Sequence, residues 1–284
     1  MRTIAILLVS AVTLFAQPSR LQQEALGHFI ELLKLDSSNP PGNETHVAQH
    51  LKSVCEKEGI PGELLGPDPQ RLSFVARLKG AGGARPLMLM AHSDVVPAER
   101  GQWSLDPFGG IIKDGYIWGR GAQDTKALLA AELAVFLELK RSGAKLKRDV
   151  IFLAESDEEA GGGVGIQWLV ANAWDKISAE FALNEGGFAN RIDSGKVLYN
   201  VQTAEKIPTR VKLVARGTAG HGSVPRADNP VLHVAQAVVR LASADQPIRL
   251  NTTTREYFRA LAKLPEYAKV ARALRQLEDP ALAN

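Results

Sequence analysis

The apolar run Pro86-Leu-Met-Leu-Met-Ala91 passes without a break into His92-Ser-Asp94, and this junction constrains the fold more than any other stretch of the chain. A short continuous apolar run bounded by polar residues reads as a strand buried on both faces. A strand that ends in an imidazole and a carboxylate must place polar chemistry at the rim of its sheet. Side chains alternate with period two along a strand, so His92 and Asp94 project to one side and Ser93 to the other. One of the pair can bind a metal while the other orients it, because a zinc-ligating imidazole usually donates its second ring N–H to a carboxylate. Taken alone, His-x-Asp also fits a histidine in a turn beside a surface acid.

Three later segments repeat the arrangement of an apolar run or glycine turn followed by an acid. In Trp118-Gly-Arg-Gly-Ala-Gln-Asp124-Thr-Lys126 a glycine-rich approach delivers Asp124 to the start of an Ala/Leu-rich helix that reaches about Gly143; Asp124 could serve there simply as an N-cap. In Val150-Ile-Phe-Leu-Ala-Glu-Ser-Asp-Glu158-Glu159-Ala-Gly-Gly a buried strand ends in a group of acids. Adjacent carboxylates repel, and a metal or a shared proton is the usual reason to hold them together. In Phe181-Ala-Leu-Asn-Glu185-Gly-Gly187 a short apolar strand again ends in an acid and a flexible turn. Each acid by itself could be a solvated loop residue. Together they converge on the carboxyl ends of neighbouring strands, where open α/β sheets place their ligands.

The same segments carry a family resemblance. His92-Ser-Asp-Val-Val-Pro97, Gly119-Arg-Gly-Ala-Gln-Asp-Thr-Lys126, Ser156-Asp-Glu-Glu-Ala-Gly161, Asn184-Glu-Gly-Gly187 and Gly217-Thr-Ala-Gly-His221-Gly-Ser-Val-Pro225 occur in the order seen in the zinc-dependent aminoacylase and carboxypeptidase family. That family includes carboxypeptidase G, carboxypeptidase S, acetylornithine deacetylase and succinyl-diaminopimelate desuccinylase. The segment Trp103-Ser-Leu-Asp-Pro-Phe-Gly109 and the step Ala204-Glu-Lys206 resemble the branch of carboxypeptidase S and the N-acyl-amino-acid hydrolases.

The resemblance implies roles residue by residue. His92, Asp124 and Glu185 would hold one zinc, and Asp124 would bridge to a second held also by Glu159; Co2+ or Mn2+ could substitute. Imidazole and carboxylate ligands with open positions suit catalytic zinc. Glu158 would be the general base, Asp94 the partner that orients His92, and His221 the stabiliser of the oxyanion across a homodimer interface. The implied reaction is hydrolysis of the amide bond of N-acyl amino acids or small peptides by metal-activated water. The family completes its second zinc site with a histidine near the C-terminus. The six histidines here are His28, His46, His50, His92, His221 and His233, and none follows His233, which the helical pattern around it assigns to packing. The chain therefore reads as a truncated or fragmentary member. Two other readings remain: a catalytically impaired member that acts as a binding or interaction module, and an exopeptidase of the related aminopeptidase fold, which would lack the domain bearing His221.

The expected fold is α/β: a mostly parallel sheet sandwiched by helices, followed by the first part of an inserted α+β lid and dimerisation domain. Strand-like runs fall at residues 72–78, 87–91, 150–154 and 181–183, and amphipathic helical segments at 22–35 and 44–58 flank the Pro40-Pro41-Gly42 turn. From about Lys196 the pattern changes to alternating strands at 197–202 and 210–216 and then a helix at 229–242, which divides the chain into a catalytic domain over 20–195 and an incomplete lid over 196–284. Residues 1–16 combine a basic start, an apolar core and a small residue before Gln17-Pro18-Ser19. They read as a secretory signal peptide, too short to span a membrane, with export to the periplasm or exterior as the consequence. With 45% hydrophobic residues in 284, the chain can bury a sizeable core. A net charge of only +3 with no aromatic-interleaved basic cluster argues against nucleic-acid binding. The single cysteine, Cys55, excludes an internal disulfide and reads as a core thiol on a helix.

Overall fold

The computed structural model describes residues 18–203, 205, 210–245 and 249–278. The expected signal segment and part of the Ala204-Glu-Lys206 step lie outside the described residues. The chain forms two compact units, Met1–Glu185 and Gly186–Asn284. Their boundary falls ahead of Lys196, because a hairpin straddles that position.

The first unit begins with helices α1 (Arg20–Leu33) and α2 (Thr45–Lys57), joined through the Pro40-Pro41-Gly42 turn. Ser19 starts α1 with a capping box: its hydroxyl accepts from the Gln22 N–H, and the Gln22 side chain accepts from the Ser19 N–H. Strands β1 (Gly62–Leu65), β2 (Ser73–Leu78) and β3 (Ala84–His92) follow, then the small hairpin of β4 (Ile111–Lys113) and β5 (Tyr116–Trp118). Helix α3 (Lys126–Arg141), strand β6 (Arg148–Glu155), helices α4 (Ile166–Asn172) and α5 (Trp174–Ile177), and strand β7 (Phe181–Leu183) complete the unit.

The main sheet has the order β1-β2-β6-β3-β7. The β6–β3 and β3–β7 pairs are parallel, whereas β1–β2 and β2–β6 are antiparallel. Four strands thus share one direction and β2 alone is reversed, so the expected helix-flanked α/β sheet is mixed at that one strand. The connections explain it. Short chain stretches on either side of β2 allow only reversals, while the crossovers from β3 to β6 and from β6 to β7 each carry helices and restore the direction.

Period-two alternation sorts the strands onto two cores. Leu89, Ala91, Val150, Phe152 and Phe74 face α1, α2 and α3; Met88, Met90, Ile151, Leu153 and Val75 face α4 and α5. Phe152 stacks on Phe136 of α3 at 5.5 Å and meets Phe74 edge-on at 6.2 Å. Cys55 is buried in the first core, as its helical setting suggests, and desolvation pushes its thiol up to about 12. The parallel register sets Ala91 beside Ala154 and His92 beside Glu155, so the polar ends of β3 and β6 arrive at the same rim.

The second unit contains a hairpin of β8 (Ala189–Arg191) and β9 (Val197–Tyr199), then helices α6 (Pro230–Ala242), α7 (Thr252–Leu261) and α8 (Ala268–Glu278). Asn229 caps α6 by accepting from the Val231 N–H at 3.0 Å, with Pro230 at the first helical position. The strand expected at 210–216 is absent: no ladder forms there among the described residues, and Val211 and Val214 stay exposed. Alternation alone does not make a strand, since its N–H and C=O groups need a partner. His233 is likewise exposed on α6 rather than packed.

Glu132 on α3 is buried, and its Oε2 has no hydrogen-bond partner. Burial pushes this carboxyl up to about 8, opposed by a hydrogen bond from the Met90 backbone. The folded chain then keeps a proton that the unfolded chain releases above its ordinary value near 4.5, so stability falls as pH rises from there towards 8. Glu132→Gln should abolish that loss. Between pH 5 and pH 8 the wild type should lose on the order of 2–3 kcal/mol relative to the variant in urea unfolding. Parallel pH profiles for the two proteins would show that Glu132 is ionised in the core.

Candidate active site and metal centre

The sequence places the site at the rim where β3, β6 and β7 end. His92 closes β3 and is almost wholly buried. Its Nδ1 lies 2.9 Å from the Asp94 carbonyl oxygen and 3.4 Å from Asp94 Oδ1, so this nitrogen carries the proton. Nε2 is thereby turned the other way, 2.9 Å from Asp124 Oδ1 and 3.5 Å from Glu185 Oε2. The three donor atoms of His92, Asp124 and Glu185 all lie within 4.8 Å of one another. A tetrahedral ion with bonds of ~2.1 Å holds its ligand atoms about 3.4 Å apart, so one imidazole and two carboxylates at these spacings fit a zinc-like cation. Asp124 is not an N-cap: Thr125 occupies that position, and the Asp124 carboxylate is directed at His92 instead.

Asp94 is the hub. Its fully buried carboxylate accepts from Asn39 Nδ2 at 2.8 Å, from the Glu158 N–H at 3.1 Å and from the Glu159 N–H at 3.1 Å, in addition to facing His92. These bonds fix the turn that presents Glu158 and Glu159. From the other side the turn is held by Asp157, whose backbone is left-handed at φ 69°. Asp157 accepts from Asn39 at 3.1 Å, from Arg71 Nη2 at 2.6 Å and from the Val164 N–H at 3.0 Å, and its own N–H donates to Glu44 at 3.1 Å. Arg71 also donates to the wholly buried Glu44 at 2.8 Å. Glu44, Arg71, Asp157, Asn39 and Asp94 therefore form one connected polar network under the acidic turn.

Matching over residues 88–279 is the family model described as peptidase family M20/M25/M40. The chain belongs to this family. It is 29% identical over 246 residues to the N-fatty-acyl-amino acid synthase/hydrolase PM20D1 of Homo sapiens, covering 82% of this chain and 48% of that protein. It is 37% identical over 185 residues to aminoacylase-1 of Sus scrofa, covering 62% of this chain and 41% of that protein. The chain thus spans about half the length of the curated relatives it matches. Among solved structures, the M20 family metallo-carboxypeptidase Sso-CP2 from Sulfolobus solfataricus shares the fold with a TM-score of 0.63 at 22% identity, over 92% of this chain and 61% of that one.

In this M20 chain the electrostatics follow from crowding acids around one imidazole. Burial opposes a charge on His92, but the hydrogen bonds to Asp94 and Asp124 outweigh it and push the imidazolium up to about 10. Desolvation raises Glu158, with the neighbouring Glu185 and Asp94 adding to the rise and His92 opposing it. Desolvation also raises Glu159, reinforced by Asp124. Glu155, buried behind them, is raised to about 7 by its own desolvation. Bringing a divalent cation to the three donor atoms would offset this accumulated negative charge.

The residues named from sequence are not all brought together. His92, Asp124 and Glu185 converge, Asp94 lies behind them, and Glu159 lines the same cavity as Asp124 without joining the three-atom cluster. His221 lies in the second unit, exposed, its Nδ1 2.8 Å from Ser223 Oγ. Asn39, Glu44, Arg71 and Lys126 support the site without being among the residues that the sequence motifs assign to its chemistry. Lys126 is fully buried, and its ammonium donates to the carbonyls of Leu32 at 3.0 Å and Leu35 at 2.6 Å, tying the start of α3 to the end of α1 beside Asp124. Gly121, at φ +83°, lets this loop pass Val95, which any Cβ would meet at 2.6 Å. Lys126 and Gly121 sit inside a motif and could have been suspected. Arg71 and Glu44 carry no local signal, because their partner Asp157 is remote in sequence.

Removing Arg71 leaves two acids buried without their cation. Arg71→Met should cost ~3 kcal/mol or more in urea unfolding, and adding Glu44→Gln to it should restore part of the loss. A cost below about 1 kcal/mol would mean that the turn stands without this network.

Proposed function

We propose that the protein is a zinc-dependent hydrolase of the amide bond in N-acyl amino acids or small peptides. The observation that carries this reading is the convergence of His92 Nε2, Asp124 and Glu185 at one sheet rim, next to a turn whose acids are held by Asp94. The names of the relatives, an N-fatty-acyl-amino acid synthase/hydrolase and an aminoacylase, support the substrate class.

His92, Asp124 and Glu185 would hold one zinc, and Asp124 with Glu159 would begin a second position. When bound, the metal acidifies water and polarises the scissile carbonyl. Asp94 keeps the proton on His92 Nδ1, so that Nε2 offers its lone pair. Glu158 takes the proton of the attacking water and returns it to the departing amine, and its raised carboxyl is suited to both transfers near neutral pH. His221, from a second copy of the chain, stabilises the oxyanion in a homodimer formed through the second unit. Residues 1–16 direct export, an assignment supported by their basic start and apolar core and checked by N-terminal sequencing of the exported protein.

Two measurements test the reading. Metal analysis after dialysis should find about one tightly held zinc per chain, since His92, Asp124 and Glu185 form one such set among the described residues; His92→Ala should release it. Glu158→Gln should retain that zinc and lose roughly 100-fold or more in kcat on N-acetyl amino acids, because an amide cannot accept the water proton. Zinc lost with Glu158→Gln, while turnover per bound zinc persists, would exchange the roles of Glu158 and Glu159.

A further inference from the structure

The parallel strands β3 and β6 carry opposite charge at their two ends. Their carboxyl ends lead to His92 and the acidic turn, whereas their amino ends are reached through two segments, 79–85 and 140–148, that contain seven lysines and arginines and no acid. The segments are zipped together. The Ala81 N–H donates to the Leu146 carbonyl at 2.9 Å, the Gly83 N–H to the Lys147 carbonyl at 3.1 Å, and Ala84 lies in register with Arg148. Gly80 permits this approach, because a Cβ there would meet the Arg148 carbonyl oxygen at 2.3 Å. The result is one basic surface, roughly 20–25 Å from the metal centre at ~3.3 Å per residue of β6.

What the cations already bind decides what charge is left over. Arg141 pairs with Glu24 and Glu58, each at 2.6 Å, and Arg148 with Glu180 at 2.8 Å. Asp149, next to the second segment, is shared by Arg77 at 3.2 Å and Lys79 at 3.0 Å, and Arg85 donates to the Ala179 carbonyl at 3.1 Å. Lys140, Lys145 and Lys147 are exposed and make no ion pair among the described residues. Every arginine of the two segments is thus engaged, and the free charge belongs to three lysines, with Lys79 79% exposed beside them. A pocket for one anion would aim arginine forks at a point. Point charges on flexible stems instead suit an array of anions without fixed positions. Neither segment holds an aromatic side chain on which a base could stack, which disfavours a nucleic acid. Next to these lysines opens a cavity of about 420 Å³, whose wall includes Pro61, Leu78, Leu139 and Leu146 with Lys79 and Lys140, and no carboxylate lines it. Apolar surface beside cations matches the boundary between lipid headgroups and acyl chains. We propose that this face docks on a bilayer surface containing anionic phospholipids, with the metal centre at the opposite end of the sheet.

Vesicle sedimentation of the full chain tests the proposal. Partitioning onto mixed phosphatidylcholine and phosphatidylglycerol vesicles at low salt should exceed that onto pure phosphatidylcholine at least about tenfold, and should collapse at ~0.5 M NaCl, where charges are screened within a few ångströms. Lys140→Gln, Lys145→Gln and Lys147→Gln together should lower it on the order of 100-fold, at about fivefold per lysine. Lys113→Gln with Lys263→Gln and Lys269→Gln removes the same charge from other exposed positions and should leave it within about twofold. Residues 1–16 are common to all three forms, so their apolar stretch cancels in the comparison, and circular dichroism checks that each form is folded. Equal partitioning onto the two kinds of vesicle, or equal losses in the two triple variants, would overturn the proposal. So would binding of poly-glutamate that the first triple variant loses while its vesicle partitioning is unchanged, which would make the face a site for an acidic polypeptide.

Discussion

The buried carboxylate of Asp94 is the constraint from which the geometry of the site follows. A carboxylate removed from water is costly unless its lone pairs are satisfied and a positive partner is near. Asp94 meets that demand with Asn39, two backbone N–H groups and the His92 imidazole. Because the N–H groups belong to Glu158 and Glu159, satisfying one buried charge also fixes the position of the two acids that follow. The same interaction sets the His92 tautomer. The His92 imidazole and the acidic turn are therefore positioned by one anion.

Behind this hub the network continues through charges that are themselves buried. Glu44 is inaccessible and Asp157 nearly so, and Arg71 between them is held well above the ordinary guanidinium range by its hydrogen bond to Glu44, despite desolvation and with help from Asp157. Such triads contribute little net stability compared with apolar packing, but they tolerate little displacement, since each lost contact leaves a charge unpaired. That rigidity suits a turn whose neighbouring carboxylates repel one another. The strain of crowding these acids is sustained by the surrounding hydrogen bonds rather than by the site itself.

The three residues of the candidate metal centre differ in how they are held. His92 is locked at the end of a central strand, whereas the side chains of Asp124 and Glu185 are 69% and 37% exposed and approach from a glycine loop and a short edge strand. A rigid imidazole therefore faces two more accessible carboxylates. Asp124 also lines a cavity on that accessible side.

The sequence by itself determined the local elements and the chemistry at their ends. Continuous apolar runs fixed β3 and β6, a strand-like run fixed β2, the spacing of apolar residues fixed α1, α2 and α3, and the motifs named the converging His92, Asp124 and Glu185. These are short-range properties: strand period, helix period and capping act within a few residues. Tertiary structure decided what depends on remote partners. The reversal of β2 came from chain connectivity, and the stretch at 210–216 lacked a ladder despite its alternation. The union of Glu44 and Arg71 with Asp157 was illegible for the same reason. A buried charge is stabilised by whatever the fold brings beside it, and no local pattern specifies which residue from the far side of the chain that will be.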